Sequence, residues 1–145
     1  MDTRIDITLK GIYYNDRVPQ FKISFDDSLI CSGFLKDEVT FHIVGKFKEG
    51  SYPIEVELLN KTDDDTIIND NTFLDKAIEI TQIKFNDIDC KDCLLHSTYT
   101  SNDLKRNLKG QNYISWNGKW RLDISVPIFT YMHQKKKFGW IYNLK

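Results

Sequence analysis

This sequence predicts an all-β fold, an antiparallel β-sandwich of the jelly-roll kind. Three observations carry the prediction. Apolar and polar residues alternate with a period of two in one stretch after another, the mark of half-buried strands. Clusters of Asn, Asp, Gly and Ser separate those stretches at short intervals, as turns between strands require. Segments with helical spacing are few. About eight or nine short strands with frequent turns describe two packed sheets rather than a helical domain.

Residues 4–9 alternate strictly, with Ile5, Ile7 and Leu9 on one face and Arg4, Asp6 and Thr8 on the other. Gly11 and Asn15-Asp16 break that pattern, and Pro19 precedes the next strand. Phe21, Ile23 and Phe25 alternate with Lys22 and Ser24. Asp26-Asp27 then turns the chain and residues 28–35 return, so 20–35 reads as a hairpin. Val39, Phe41 and Ile43 form a further face, with His42 opposite as a surface residue. Tyr52, Ile54, Val56 and Leu58 alternate with Pro53, Glu55 and Glu57; proline is tolerated at a strand's start. Residues 60–75 are rich in Asn, Asp and Thr and read as a loop.

Parity changes between 77 and 85. Ile78 and Ile80 share one phase, Ile83 and Phe85 the other. Either a β-bulge at Thr81-Gln82 shifts the register or both faces are partly covered. Asn86-Asp87 is a turn, and Ser101-Asn102-Asp103 has the composition to cap a short helix through Leu108. Residues 113–116 form a short strand, Asn117-Gly118 is a hairpin signal, and Trp120, Leu122, Ile124 and Val126 face inward beyond it. Pro127 ends or kinks that run, which Phe129–His133 continues at a sheet edge.

The 145 residues suffice for one domain with a sizeable core. It is expected over residues 1–133, with 134–145 as an aromatic segment that docks on the domain or on a partner. The net charge of −1 gives no long-range attraction to nucleic acid or to anionic membrane. No apolar run approaches the roughly 20 residues of a membrane span. Met1-Asp2-Thr3-Arg4 leads straight into an alternating strand, so no signal peptide is expected. Three cysteines, an odd and low number, describe no disulfide framework and suit a reducing compartment. Cys31 reads as a small buried hydrophobe.

Four constellations have the residue types for chemistry. Asn60, Asp63, Asp64 and Asp65 offer the hard oxygen donors that calcium takes, although the spacing is not that of an EF-hand; as a solvated turn the same residues need no ion. Cys90-Lys91-Asp92-Cys93 with His96 is half of a tetrahedral zinc site, and nothing in the sequence completes it. Packing cysteines are the plainer reading. Trp116 and Asn117, beside Trp120, have the composition of an aromatic platform for a sugar ring, or of core residues pinning a hairpin. Lys135-Lys136-Lys137 precedes Phe138, Trp140, Ile141, Tyr142 and Leu144, too apolar a run for a solvated tail and therefore a candidate partner interface. No nucleophile–base pair can be named, so no enzyme is expected.

Residues 4–86 contain an opening alternating strand, then Gly50-Ser51-Tyr52-Pro53-Ile54-Glu55-Val56-Glu57-Leu58-Leu59-Asn60, an acidic loop, and a further strand. This order resembles the calcium-dependent xylan-binding carbohydrate-binding modules, and implies a carbohydrate-binding-module-like sandwich. Lys61 stands where those modules carry an acidic residue after the Asn, which weakens the calcium implication more than the fold. Leu59 to Thr66, Ile80 to Asp87 and Trp116 to Leu122 are together similar to a small β-domain of structural proteins of marine tailed phages. That resemblance implies a non-enzymatic virion structural or attachment protein: a fibre, tail or capsid-decoration component in an oligomeric assembly with other virion proteins, assembled in the host cytoplasm. The alternative is a glycan-binding module, calcium-assisted, with a cell-surface glycan as its partner. Neither reading calls for a cofactor other than calcium, for nucleic acid, or for a membrane span.

Overall fold

The computed structural model describes residues 2–103, 105 and 107–135. In chain order the strands are β1 (Thr3–Ile12), β2 (Gln20–Phe25), β3 (Ser28–Phe34), β4 (Glu38–Gly45), β5 (Gly50–Leu58), β6 (Ile67–Asn69), β7 (Thr72–Leu74), β8 (Ala77–Phe85), β9 (Ile88–Asp89), β10 (Thr98–Ser101), β11 (Asn107–Lys109), β12 (Tyr113–Ile114) and β13 (Gly118–Val126). Two helices, α1 (Lys91–Leu94) and α2 (Ile128–Lys135), complete the described chain. No helix among the described residues is long and apolar enough to cross a membrane.

The strands form two antiparallel sheets and one small hairpin. The first sheet has the order β12-β8-β1-β4, with β9 folded back on the end of β8. The second has the order β11-β10-β13-β5-β2-β3. The β6–β7 hairpin stands apart from both. Period-two alternation decides which side chains lie between the sheets. Ile5, Ile7 and Leu9 of β1 are fully buried, as are Ile54, Val56 and Leu58 of β5. Phe21 of one sheet and Phe41 of the other bring their ring centroids to 5.7 Å and bridge the layers. Phe25, Phe47 and Tyr52 pack together at 5.2–5.9 Å. On the outer face of the first sheet, His42 is exposed and its Nδ1 lies in hydrogen-bond contact with Asp6 Oδ1 at 2.5 Å.

The change of parity in β8 is a bulge. Thr8 pairs with Gln82 but Leu9 pairs with Ile80, so Thr81 is the extra residue. Ile78, Ile80, Ile83 and Phe85 therefore all reach the core despite their two phases. The 20–35 hairpin forms as expected. Asp26 and Asp27, at φ 50° and 65°, make the left-handed two-residue turn that matches strand twist.

Four expectations give way. Residues 113–126 are not a hairpin: β12 lies in the first sheet and β13 in the second, so Asn117-Gly118 is a crossover between layers. Gly118 is needed there for close approach, since a Cβ would lie 2.4 Å from the Thr100 carbonyl oxygen. The capping pattern at 101–108 closes a turn instead of a helix. Asp103 accepts from Ser101 Oγ at 2.5 Å and from the Lys105 N–H at 3.1 Å, and β11 follows. Residues 129–133 belong to α2, which buries Ile128, Tyr131 and Met132 at the i, i+3, i+4 spacing of a helical stripe. A cis Val126–Pro127 bond precedes it. Finally, Cys90 and Cys93 are joined by a disulfide across α1, with both residues buried. Sulfurs bonded to each other supply no thiolates for zinc, and His96 is exposed beside them.

Candidate functional site

The acidic loop is held by charges that the sequence reading passed over. Where β5 ends, the Asn60 amide bridges two backbone segments: its Nδ2 donates to the Val18 carbonyl at 3.0 Å and its Oδ1 accepts from the Gln20 N–H at 2.8 Å. Lys61 follows. Its backbone N–H donates to Asn117 Oδ1 at 2.7 Å, and its carbonyl accepts from Asn117 Nδ2 at 2.9 Å. This two-point bracket spans 56 residues of sequence and ties the crossover to the loop.

The Lys61 side chain turns inward. Its Nζ is in direct contact with Asp75 Oδ1 and donates to the Lys76 carbonyl at 2.7 Å, and both ion-pair side chains are 1% exposed. Asp75 also accepts from Thr66 Oγ1 at 2.7 Å, Tyr113 OH at 2.7 Å and its neighbour's N–H at 2.8 Å. Beside it, Asp65 pairs with Lys76 Nζ at 2.8 Å and with Arg17 Nη1 at 2.8 Å, and accepts from the Thr62 N–H and hydroxyl at 2.7 and 3.0 Å. Burial by itself raises a carboxyl's pKa. At Asp65 the bonds from Lys76, Thr62 and Arg17 outweigh it, and at Asp75 those from Lys61, Thr66 and Tyr113 do, so both stay below the usual carboxylate range. The Tyr113 phenol moves the other way, raised by burial and by the carboxylate it donates to.

This clamp grips the root of the β6–β7 hairpin, because residues 65 and 66 enter it and 75 and 76 leave it. It also grips the loop between β1 and β2. Tyr14 OH and Arg17 Nη1 both donate to the Asp64 carbonyl, at 3.1 and 3.3 Å. Asn15 turns that loop at φ 55°, a left-handed conformation that Asn tolerates better than most residues.

The other side of this loop borders a cleft of about 400 Å³, lined by Tyr13, Asn15, Asp16, Val18, Phe34 and Lys36. Phe34 sits at the end of the edge strand β3, paired with Gln20. Tyr13 is 40% and Phe34 63% exposed. The opposing wall is held as firmly as the loop. The Leu35 N–H donates to the Pro19 carbonyl at 2.9 Å, and Gly11 lets β1 approach closely, since a Cβ there would overlap the Leu35 carbonyl oxygen at 2.0 Å. Two accessible aromatic rings, a carboxylate, an amide and an ammonium thus line one preformed concavity. Such a surface can pack the apolar face of a ring while bonding the polar groups at its edge.

The residues singled out from the sequence occupy different places. Asp63 and Asp64 are exposed, Asp65 is buried and committed to Lys76 and Arg17, and Asn60 is committed to backbone. They do not converge. Among the described residues, no group of three or more His, Cys, Asp or Glu side chains is arranged to hold a metal ion. Calcium needs about six to eight oxygen ligands, and here the buried carboxylates are already occupied by ammonium, guanidinium and hydroxyl donors. The residues present do not fit the ion. Trp116 is half-buried, and its carbonyl accepts from Tyr99 OH, while Asn117 is spent on Lys61. Phe138, Trp140, Ile141, Tyr142 and Leu144, and most of segment 134–145, lie outside the described residues. Tyr13, Phe34, Arg17, Asp75 and Lys76 were missed, and Lys61 stood out only as a departure from the calcium pattern.

No protein-family model matches this chain, and no curated protein matches it. Two solved structures do match in fold. One is vCBM60 in complex with galactobiose, with a TM-score of 0.50 and 11% identity over 83% of this chain and 99% of that one. The other is the selenomethionine form of vCBM60, described with a circular permutation linking two families of calcium-dependent carbohydrate-binding modules; its TM-score is 0.51, with 11% identity over 83% of this chain and 89% of that one. At that identity the likeness is one of fold: this chain has the β-sandwich of a carbohydrate-binding module.

Proposed function

We propose that this chain is a non-catalytic glycan-binding module and that the Tyr13–Phe34 cleft is its binding surface. The observation that carries this reading is the pairing of two exposed aromatic side chains with Asn15, Asp16 and Lys36 around one concavity. A pyranose has an apolar C–H face and a rim of hydroxyls, and it needs both kinds of contact. The fold likeness to vCBM60, solved with galactobiose, supports the same class of ligand. The cleft's walls are fixed by hydrogen bonds before any ligand arrives, which lowers the ordering cost of binding.

Calorimetric titration with galactobiose and a panel of soluble plant and bacterial oligosaccharides tests the proposal. At least one glycan is expected to bind the wild-type chain, to lose affinity in Phe34→Ala and Tyr13→Ala, and to bind Trp116→Ala unchanged. Binding that survives the double Tyr13→Ala, Phe34→Ala variant, or no binding across the panel, overturns it. The virion reading rests on the resemblance of residues 59–66, 80–87 and 116–122 and on Phe138, Trp140, Ile141, Tyr142 and Leu144, the latter outside the described residues, and no observation within the described residues favours it over glycan binding.

A further inference from the structure

We infer that Lys61 is the resident cation of the acidic loop: its ammonium neutralises and organises the buried oxygens there, so this sandwich is independent of calcium. Charge and oxygen placement at the hairpin root give Lys61 this role whether or not the cleft takes a glycan. Asp65 and Asp75 are the two buried carboxylates of the loop, and Lys61 and Lys76 are two buried ammonium groups beside them. Each carboxylate has its own ammonium in contact. Arg17 adds a third cation from the surface side. No buried negative charge is left for a divalent ion to answer, and adding one would leave the site with uncompensated positive charge.

The oxygens around Lys61 explain why a cation is needed at all. Asp75, the Lys76 carbonyl, the Thr66 hydroxyl and the Tyr113 phenol gather at the root of the β6–β7 hairpin, and the first two bond Nζ directly. Shortening Lys61 while keeping those oxygens leaves a carboxylate and a carbonyl around an ammonium-sized space. That arrangement should accept a small alkylammonium ion in place of the lost side chain. Methionine at 61 fills the same space without charge and should not.

Thermal melts provide the test. The wild-type chain is expected to melt at one temperature in EDTA and in millimolar CaCl2. Lys61→Ala should melt about 10 °C lower, and propylammonium chloride should recover part of that loss. Lys61→Met should be destabilised and gain nothing from propylammonium beyond what matched NaCl gives. A wild-type melting temperature that rises with calcium or falls in EDTA overturns the inference. So does a Lys61→Ala chain as stable as wild type, or an equal response of the Ala and Met variants to propylammonium. Should Lys61→Ala fail to fold, the calcium measurement on the wild-type chain decides alone.

Discussion

The Lys61–Asp75 pair at the hairpin root and the Lys119–Glu55–Arg121 group on the outer face of the second sheet use the same kinds of charge. Their surroundings differ. Lys61 and Asp75 are each 1% exposed and in contact. Lys119 is 50% and Glu55 13% exposed at 3.8 Å, and Arg121 reaches Glu55 at 3.6 Å and Asp123 at 2.9 Å, all beside solvent. Water already solvates the outer group, so its pairing changes little on folding. At the hairpin root water is excluded, and each charge depends on its partner. The contrast teaches that a charge matters here through what it would lack if its partner were removed.

The largest expected effect follows from separating the buried pair. Lys61→Met leaves Asp75 charged and buried, and should cost about 3–5 kcal/mol in denaturant unfolding. Combining it with Asp75→Asn removes both charges and keeps an acceptor for Thr66 and the Lys76 N–H. The double variant should be more stable than Lys61→Met alone; if it is less stable, the electrostatic account of the pair fails. Asp65→Asn comes next, at about 2–3 kcal/mol, with faster hydrogen exchange over residues 13–18 because Arg17 loses its carboxylate.

Acid should expose the same asymmetry. Asp65 and Asp75 titrate below the usual carboxylate range when folded, and near about 3.9 when unfolded. Their contribution is therefore present above that value and lost as pH falls through the folded pKa. Melting temperature should hold down to about pH 5 and drop below about pH 4. A curve equally steep in Asp65→Asn would place the acid sensitivity elsewhere. Phe34→Ala should weaken glycan binding about tenfold, about 1.4 kcal/mol, and leave the unfolding midpoint in place because the ring is 63% exposed. Smallest of all is Lys119→Ala, at less than about 1 kcal/mol and vanishing in high salt. A value comparable to Lys61→Met would erase the distinction between the two groups.

Local signals in this sequence speak for strands and are silent about partners far along the chain. Ile5, Ile7 and Leu9 name their face by parity, and the phase change between Ile80 and Ile83 marks a bulge, because both depend on neighbours within a few residues. Asn117-Gly118 misleads for the opposite reason. Its turn chemistry is a local preference, overridden by a side-chain bracket to Lys61 and by the close pass of β10. The aspartates of residues 63–65 were legible as a special loop, but their counter-charges come from Arg17, 48 residues before Asp65, and from Lys76 beyond the hairpin. Tyr13 and Phe34 carry no signal either. Each looks like one more strand aromatic until the sandwich brings its strand end beside the other's. The disulfide escaped because counting cysteines addresses frameworks, not a single bridge over one helical turn.

The bulge at Thr81 makes β8 a strand written in two phases, and this sets how the chain tolerates insertions and deletions. Thr81 also ties itself in place: its hydroxyl donates to the Thr8 carbonyl at 3.4 Å and to Glu38 at 3.3 Å. Losing that one residue would restore an unbroken alternation with Leu9 still opposite Ile80 and Thr8 opposite Gln82, so Ile78, Ile80, Ile83 and Phe85 would share one phase and all stay inside. Gaining a residue at the Asp70-Asn71 tip of the β6–β7 hairpin inverts nothing, because both arms are held at their root. Losing a residue at the bulge or gaining one at the hairpin tip is therefore absorbed locally, whereas the same change at a paired position such as Lys84, opposite Asp6, would flip every side chain beyond it.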